Sequence, residues 1–144
     1  MVIDDLGTLR SGGSSPRVTA TEAGSTSTTR DATTGKVLVD IKGTPLQGIP
    51  ICVIADADTG TSNDKSAVVT IEAADETAFN VTNEVIATFP AITYASTVAK
   101  FMVRRIHTAK RYIRCVITLS GSNGTYSRDF LIFVGAQGVM NREA

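Results

Sequence analysis

Tryptophan is absent from this 144-residue chain, histidine occurs once and cysteine twice. Each shortage narrows the function. With no Trp and three Tyr, the chain has few of the aromatic rings that carbohydrate sites favour. The lone His107 falls in a predicted turn between two strands, where a histidine reads as a solvated residue, and no nucleophile-elbow signature accompanies it. Cys52 and Cys115 form no CxxC pair and lie in predicted strands, so buried free thiols are expected. Net charge is missing as well. Fourteen basic residues balance fourteen acidic ones, which argues against a nucleic-acid binder with its usual basic excess. No apolar run approaches the length of a membrane span. The start, Met1-Val2-Ile3-Asp4-Asp5, has neither a basic n-region nor an apolar h-region, so no secretory signal is expected. There is no phosphate-binding Gly loop and no His-rich cluster. The expectation is a non-enzymatic protein with no cofactor, no metal, no nucleic-acid partner and no membrane association.

What the chain does have is strand patterning over a length suited to one domain with a sizeable core. Residues 1–9 read as a short edge strand or an extended arm. From Ser11 to Gly35, Ser, Thr, Gly and Ala dominate, and such a stretch buries little apolar surface alone. It is a flexible arm, a loop lying along the domain, or a segment that orders against a partner; Pro16 to Ala20 could add an edge strand. The texture changes at Lys36. Val37, Val39 and Ile41 alternate with Leu38, Asp40 and Lys42, as in a half-buried strand. Gly43, Pro45, Gly48 and Pro50 punctuate a loop. Strands are expected at Ile51–Ala55, at Ala67–Ala73 with Val69, Ile71 and Ala73 on one face, at Glu84–Phe89, and at Val98–Arg105 with Phe101 and Val103 inward. Phe79 anchors the polar connection Asp75–Asn83 in the core.

Lys110 to Val134 is the strongest stretch. Two β-type runs flank Ser120-Gly121-Ser122-Asn123-Gly124, so a hairpin is expected. In the first run Ile113, Cys115, Ile117 and Leu119 share one face, and Tyr112, Arg114, Val116 and Thr118 the other. Phe130 to Val134 is apolar on both faces and calls for cover on both, by a second sheet or a partner. No amphipathic helix is evident. Seven or eight short strands indicate an all-β antiparallel sandwich, of which a jelly roll is one arrangement, with residues 1–35 as its N-terminal arm and 36–144 as the domain.

Two short motifs read as bland. Asp56 to Asp64 superficially resembles a calcium loop, but it lacks an oxygen ligand before the Gly and has Ala67 where the bidentate Glu belongs, so a solvated turn is expected. Asn80-Val81-Thr82 fits a glycosylation acceptor and reads as chance without a secretory signal.

Charge is segregated along the chain. Residues 40–84 hold eight acids and two bases, a net of −6, and residues 85–128 hold seven bases and no acid. By strand parity Lys100, Met102 and Arg104 share an outward face, as do Tyr112, Arg114 and Val116. These six residues are the candidate partner-binding patch. Three readings remain for it: a solvated face balanced by the acidic half, a protein interface anchored by Arg and Tyr, or a nucleic-acid surface. The opposite signs of the two halves also suit self-association in a symmetric oligomer.

The order and spacing of four segments carry a family resemblance. They are Met1-Val2-Ile3-Asp4, the strand and acidic segment Val68 to Phe79, the strand start Lys110-Arg111-Tyr112-Ile113-Arg114, and Ser120-Gly121 followed by Phe130 to Val134. In these the chain resembles the jelly-roll capsid cement proteins of tailed bacteriophages, of the Bordetella-phage type. It departs from them at Ser11–Gly35 and at Asp56–Lys65. The resemblance implies a β-sandwich on the virion exterior, made in the bacterial host cytoplasm and often dimeric. Such a protein clamps neighbouring major capsid proteins against internal pressure. The alternative is a carbohydrate- or receptor-binding jelly-roll module of a phage virion.

Overall fold

The computed structural model of the chain describes residues 7–11, 13–14, 17–42, 48–61, 64–93 and 99–135. Met1–Asp4, Pro16, the Gly43–Pro45 part of the expected loop, residues 62–63 and Val98 lie outside them. Ten strands form among the described residues: β1 (Thr8–Arg10), β2 (Arg17–Val18), β3 (Val39–Asp40), β4 (Ile49–Ala55), β5 (Ser66–Ala74), β6 (Glu84–Thr88), β7 (Ile92–Thr93), β8 (Lys100–Ile106), β9 (Tyr112–Ser120) and β10 (Arg128–Val134). They make two antiparallel sheets. The first runs β1-β10-β4-β8, with β2 added beside β10; the second runs β3-β9-β5-β6, with β7 added beside β5.

The pairings β1/β10, β3/β9, β4/β8 and β5/β6 nest from the chain ends inward. They are the rungs of one long ribbon, and successive rungs fall alternately in the two sheets. That is the jelly-roll wrapping of a β-sandwich. One consequence corrects an expectation. β9 and β10 are consecutive long strands but belong to different sheets, so Lys110 to Val134 is not a hairpin. The turn between them keeps its expected chemistry: Gly121 takes a φ of +95°, and the Asp64 carboxylate accepts the N–H groups of Ser122 and Asn123 at 3.2 and 3.0 Å. The turn carries the chain across the sandwich instead of back along one sheet.

The core follows from period-two alternation. β5 buries Ala67, Val69, Ile71 and Ala73, and the full-length register Val69↔Ile117, Ile71↔Cys115 and Ala73↔Ile113 sets β9 beside it with its apolar face turned the same way. Against them lie Ile51, Val53 and Ala55 of β4, Phe130 and Ile132 of β10, and Leu9 of β1. β10 sits between β4 and β1/β2, so both its edges are paired; Phe130 and Ile132 face the core, and on the other face Phe133 is buried and Leu131 half-buried. Phe79 is buried, yet not between the sheets. It joins Leu38 and Ala74 in a second cluster with Tyr112, on the outer side of the second sheet.

The Ser/Thr-rich residues 17–37 lie along one side of the sandwich. Glu22 exchanges backbone hydrogen bonds with Ile117 of β9, the Thr21 hydroxyl accepts the Leu119 N–H at 3.0 Å, and Arg10 bridges to Lys36. A buried ion cluster locks this side. The Arg10 side chain is wholly buried. It donates from Nε and Nη2 to Glu22 at 3.0 and 3.1 Å, and from Nη1 to the Phe130 carbonyl at 2.8 Å. Nη1 also reaches Asp129 at 3.4 Å. Because Glu22 is tied to the second sheet and Phe130 belongs to the first, Arg10 joins the two.

Candidate functional site

The six candidate residues divide between two surfaces. Lys100, Met102 and Arg104 lie on β8, the edge of the first sheet; Tyr112, Arg114 and Val116 lie on β9, inside the second. The chain changes sheets between β8 and β9, so no single patch unites them.

The β9 group is largely occupied by the protein itself. Arg114 donates from Nε to Glu72 at 2.6 Å, with both side chains about 15 % exposed, and its guanidinium stacks 4.1 Å above the Phe79 ring. Gly24 closes the same space, since a Cβ there would collide with the Arg114 side chain. Arg111 donates to Asp40 at 2.8 Å and lies 4.9 Å over the Tyr112 ring. Lys110 pairs with Asp75 at 2.9 Å. Hydrogen bonding to Arg111 holds the Asp40 carboxyl below its ordinary pKa, and the bond to Asp75 holds the Lys110 ammonium above its own. Here the acidic half of the chain balances the basic half within the molecule. The register explains it: Glu72↔Arg114 and Ala74↔Tyr112 are directly opposed on β5 and β9.

β8 is different, and its faces are the reverse of those expected. Pairing with β4 opposes Val53↔Met102, Ile51↔Arg104 and Ile49↔Ile106. Ile51 and Val53 point into the core, so Met102 packs inward and Phe101 points out, 60 % exposed. Lys-Phe-Met-Val-Arg-Arg-Ile carries apolar residues at both parities, so periodicity could not choose the face; only the partner strand does. The outer row Phe101–Ile54–Leu131 runs across three strands. On the inner side an open crevice of about 460 Å³ is lined by Phe89, Pro90, Met102, Val103 and Arg104, where β8 faces the end of β6 across the sandwich. Among the described residues, no segment seams this side as residues 17–37 seam the other. The Thr108 hydroxyl donates to Glu84 at 3.1 Å here, and farther along Tyr126 and Arg128 donate to the Ile92 and Thr93 carbonyls of β7. Lys100 and Arg104 are exposed, and neither forms an ion pair among the described residues, unlike Arg10, Arg17, Lys110, Arg111 and Arg114.

The calcium-like segment is not a solvated turn. The Asp58 side chain is 1 % exposed and lies 3.9 Å from a fully buried Arg128; its Oδ1 accepts the N–H groups of Gly60 and Ser127 at 2.7 and 3.0 Å. Asp56 accepts from Arg17 at 2.8 Å and from the Asp129 N–H at 2.6 Å. These carboxylates fasten the loop to the start of β10. His107 is exposed in the link between β8 and β9. The Thr82 hydroxyl of the Asn80-Val81-Thr82 motif bonds Glu76 and the Asp75 N–H. Both cysteines are buried and free; burial raises the Cys52 thiol and pushes Cys115 up to about 12. Sequence reasoning gave no structural role to Arg10, Arg17 and Arg128, and it turned Phe101 inward. The arginines sit in or beside segments with little patterning, and nothing local marks their distant partners.

The chain matches no protein-family model, and no curated protein matches it.

Proposed function

We propose that the protein is a non-enzymatic structural component of a phage virion. It binds the outside of the capsid and cements neighbouring major capsid proteins against internal pressure. Self-association as a dimer belongs to the same reading. The observation that carries it concerns the segments behind the family resemblance. Val68 to Phe79 and Lys110 to Arg114, read separately along the chain, meet in space as paired strands β5 and β9 with Arg114 held between Glu72 and Phe79. Residues that resemble the cement proteins thus form one packed unit in a jelly roll. Co-sedimentation with purified empty capsids of the encoding phage tests the proposal: stoichiometric pelleting supports it, and protein that stays in the supernatant at every salt concentration refutes it.

The carbohydrate-binding alternative has one observation in its favour. A surface groove of about 400 Å³ is lined by Ser25, Thr26, Ser27, Thr29, Asp31 and Lys36, a hydroxyl-rich wall suited to polar ligands. Among the described residues, no aromatic ring lines it for a sugar to stack on. Glycan-array binding in the absence of capsid would favour this reading over the first.

A further inference from the structure

We propose that β8 is the docking strand, and that it takes an extended, acidic and apolar segment of a capsid subunit as an additional strand of the first sheet. The inference rests on the capsid-binding reading and adds to it the surface and the chemistry of the partner.

Four features coincide on β8. It pairs with β4 and with no other strand among the described residues, so about half of its backbone N–H and C=O groups face away from the sheet. Its seven residues offer an edge about 23 Å long, ample for the strand addition by which extended segments are recognised. Among the described residues, Phe101 is one of three large hydrophobic side chains left exposed, and it continues an apolar row through Ile54 to Leu131. The crevice beside Met102, Phe89 and Pro90 provides a hollow of about 460 Å³ on the opposite side of the same edge. An added strand would place alternate side chains over Phe101 and into the crevice. Lys100 and Arg104 share the face of Met102 and flank the crevice, exposed and without an ion pair among the described residues, so the matching segment carries Asp or Glu opposite them and apolar residues opposite Phe101 and Met102.

The charge on β8 also decides against a second copy of the chain as the occupant. Two antiparallel β8 strands centred on Val103 would set Arg104 opposite Met102 and diagonal to both Arg104 and Lys100 of the other copy, with no acid on Lys-Phe-Met-Val-Arg-Arg-Ile to offset them. Diagonal neighbours lie within reach of such long side chains, and like charges there repel. An acidic segment removes that repulsion and gains steering at low salt.

The test is co-sedimentation with empty capsids of four proteins: wild type, Lys100→Glu/Arg104→Glu, Phe101→Ser, and Thr118→Glu as a control on the exposed outer side of the second sheet. Amide exchange of β8 is measured free and capsid-bound, and thermal unfolding checks that each variant is folded. Wild type and Thr118→Glu are expected to pellet alike. The charge reversal is expected to weaken attachment roughly tenfold and flatten its salt dependence. Phe101→Ser is expected to weaken attachment at all salt concentrations, and β8 amides are expected to slow on the capsid. Wild-type pelleting with an undiminished charge-reversal variant, or with β8 exchange unchanged, overturns the docking strand and leaves the capsid reading intact. A wild-type protein that fails to pellet overturns both.

Discussion

Replacing the buried Arg10 by Leu is expected to destabilise the protein strongly. Arg10 is wholly buried and makes two bonds to Glu22, one to the Phe130 carbonyl and a longer one to Asp129. Leucine fills part of the volume but leaves the Glu22 carboxylate, with a side chain 12 % exposed, without its counter-charge. Breaking a buried pair from one side costs roughly 3–5 kcal/mol, most of it the penalty of the stranded charge. With a urea m-value of about 2 kcal/mol per M, the midpoint should fall by roughly 1.5–2.5 M with the slope unchanged. The double variant Arg10→Leu/Glu22→Leu removes both charges and should recover part of the loss, so the two single costs should not add. A loss below about 1 kcal/mol, or strict additivity in the cycle, would refute the view that this ion cluster joins the sheets.

Three further outcomes follow from the geometry. Arg114→Glu sets a second carboxylate beside Glu72 and removes the guanidinium from Phe79; it should cost roughly 2–3 kcal/mol in urea unfolding, and near-wild-type stability would contradict the packing of this side chain. Glu76 accepts hydrogen bonds from the Thr82 hydroxyl first and then from the Thr82 and Val81 N–H groups, which lowers its carboxyl to about 2. A depressed folded-state pKa means that the loop's stabilisation is present above the ordinary carboxyl range, near 4.5, and is lost as pH falls toward 2. A carboxyl NMR titration of Glu76 with a midpoint near 4.5 would show the bonds absent. Both thiols are buried, so a thiol reagent should label neither in the folded protein and both in denaturant; rapid labelling of Cys115 without denaturant would contradict its burial.

Where the sequence spoke clearly, it did so through alternation confined to one strand. Ala67 to Ala73 and Ile113 to Ile117 place their apolar residues at every second position, and each has a single way to face a core. The β-sandwich followed from such segments and the turns between them. β8 was illegible for the opposite reason, since Phe101/Val103 and Met102/Ile106 offer two apolar faces and the choice rests with Ile51 and Val53, some fifty residues away. The sheet assignment of β9 and β10 was hidden for a related cause: a Gly-rich turn serves equally to reverse a strand or to cross a sandwich. The Ser/Thr-rich stretch looked unable to support itself, and by apolar burial it is. Its order comes from Arg10, Glu22 and hydrogen bonds to β9, pairings over distances that no local pattern encodes. The six-residue patch dissolved for the same reason, and only its β8 half remained open to a partner.

The capsid-cement account is tested most directly by genome retention. DNA-filled capsids lacking this protein would be heated with and without the purified chain, and DNA release followed by dye fluorescence. The account predicts that stoichiometric addition raises the release temperature, because clamped subunits resist internal pressure. Release at the same temperature, with the protein bound at full occupancy, would contradict the cementing role.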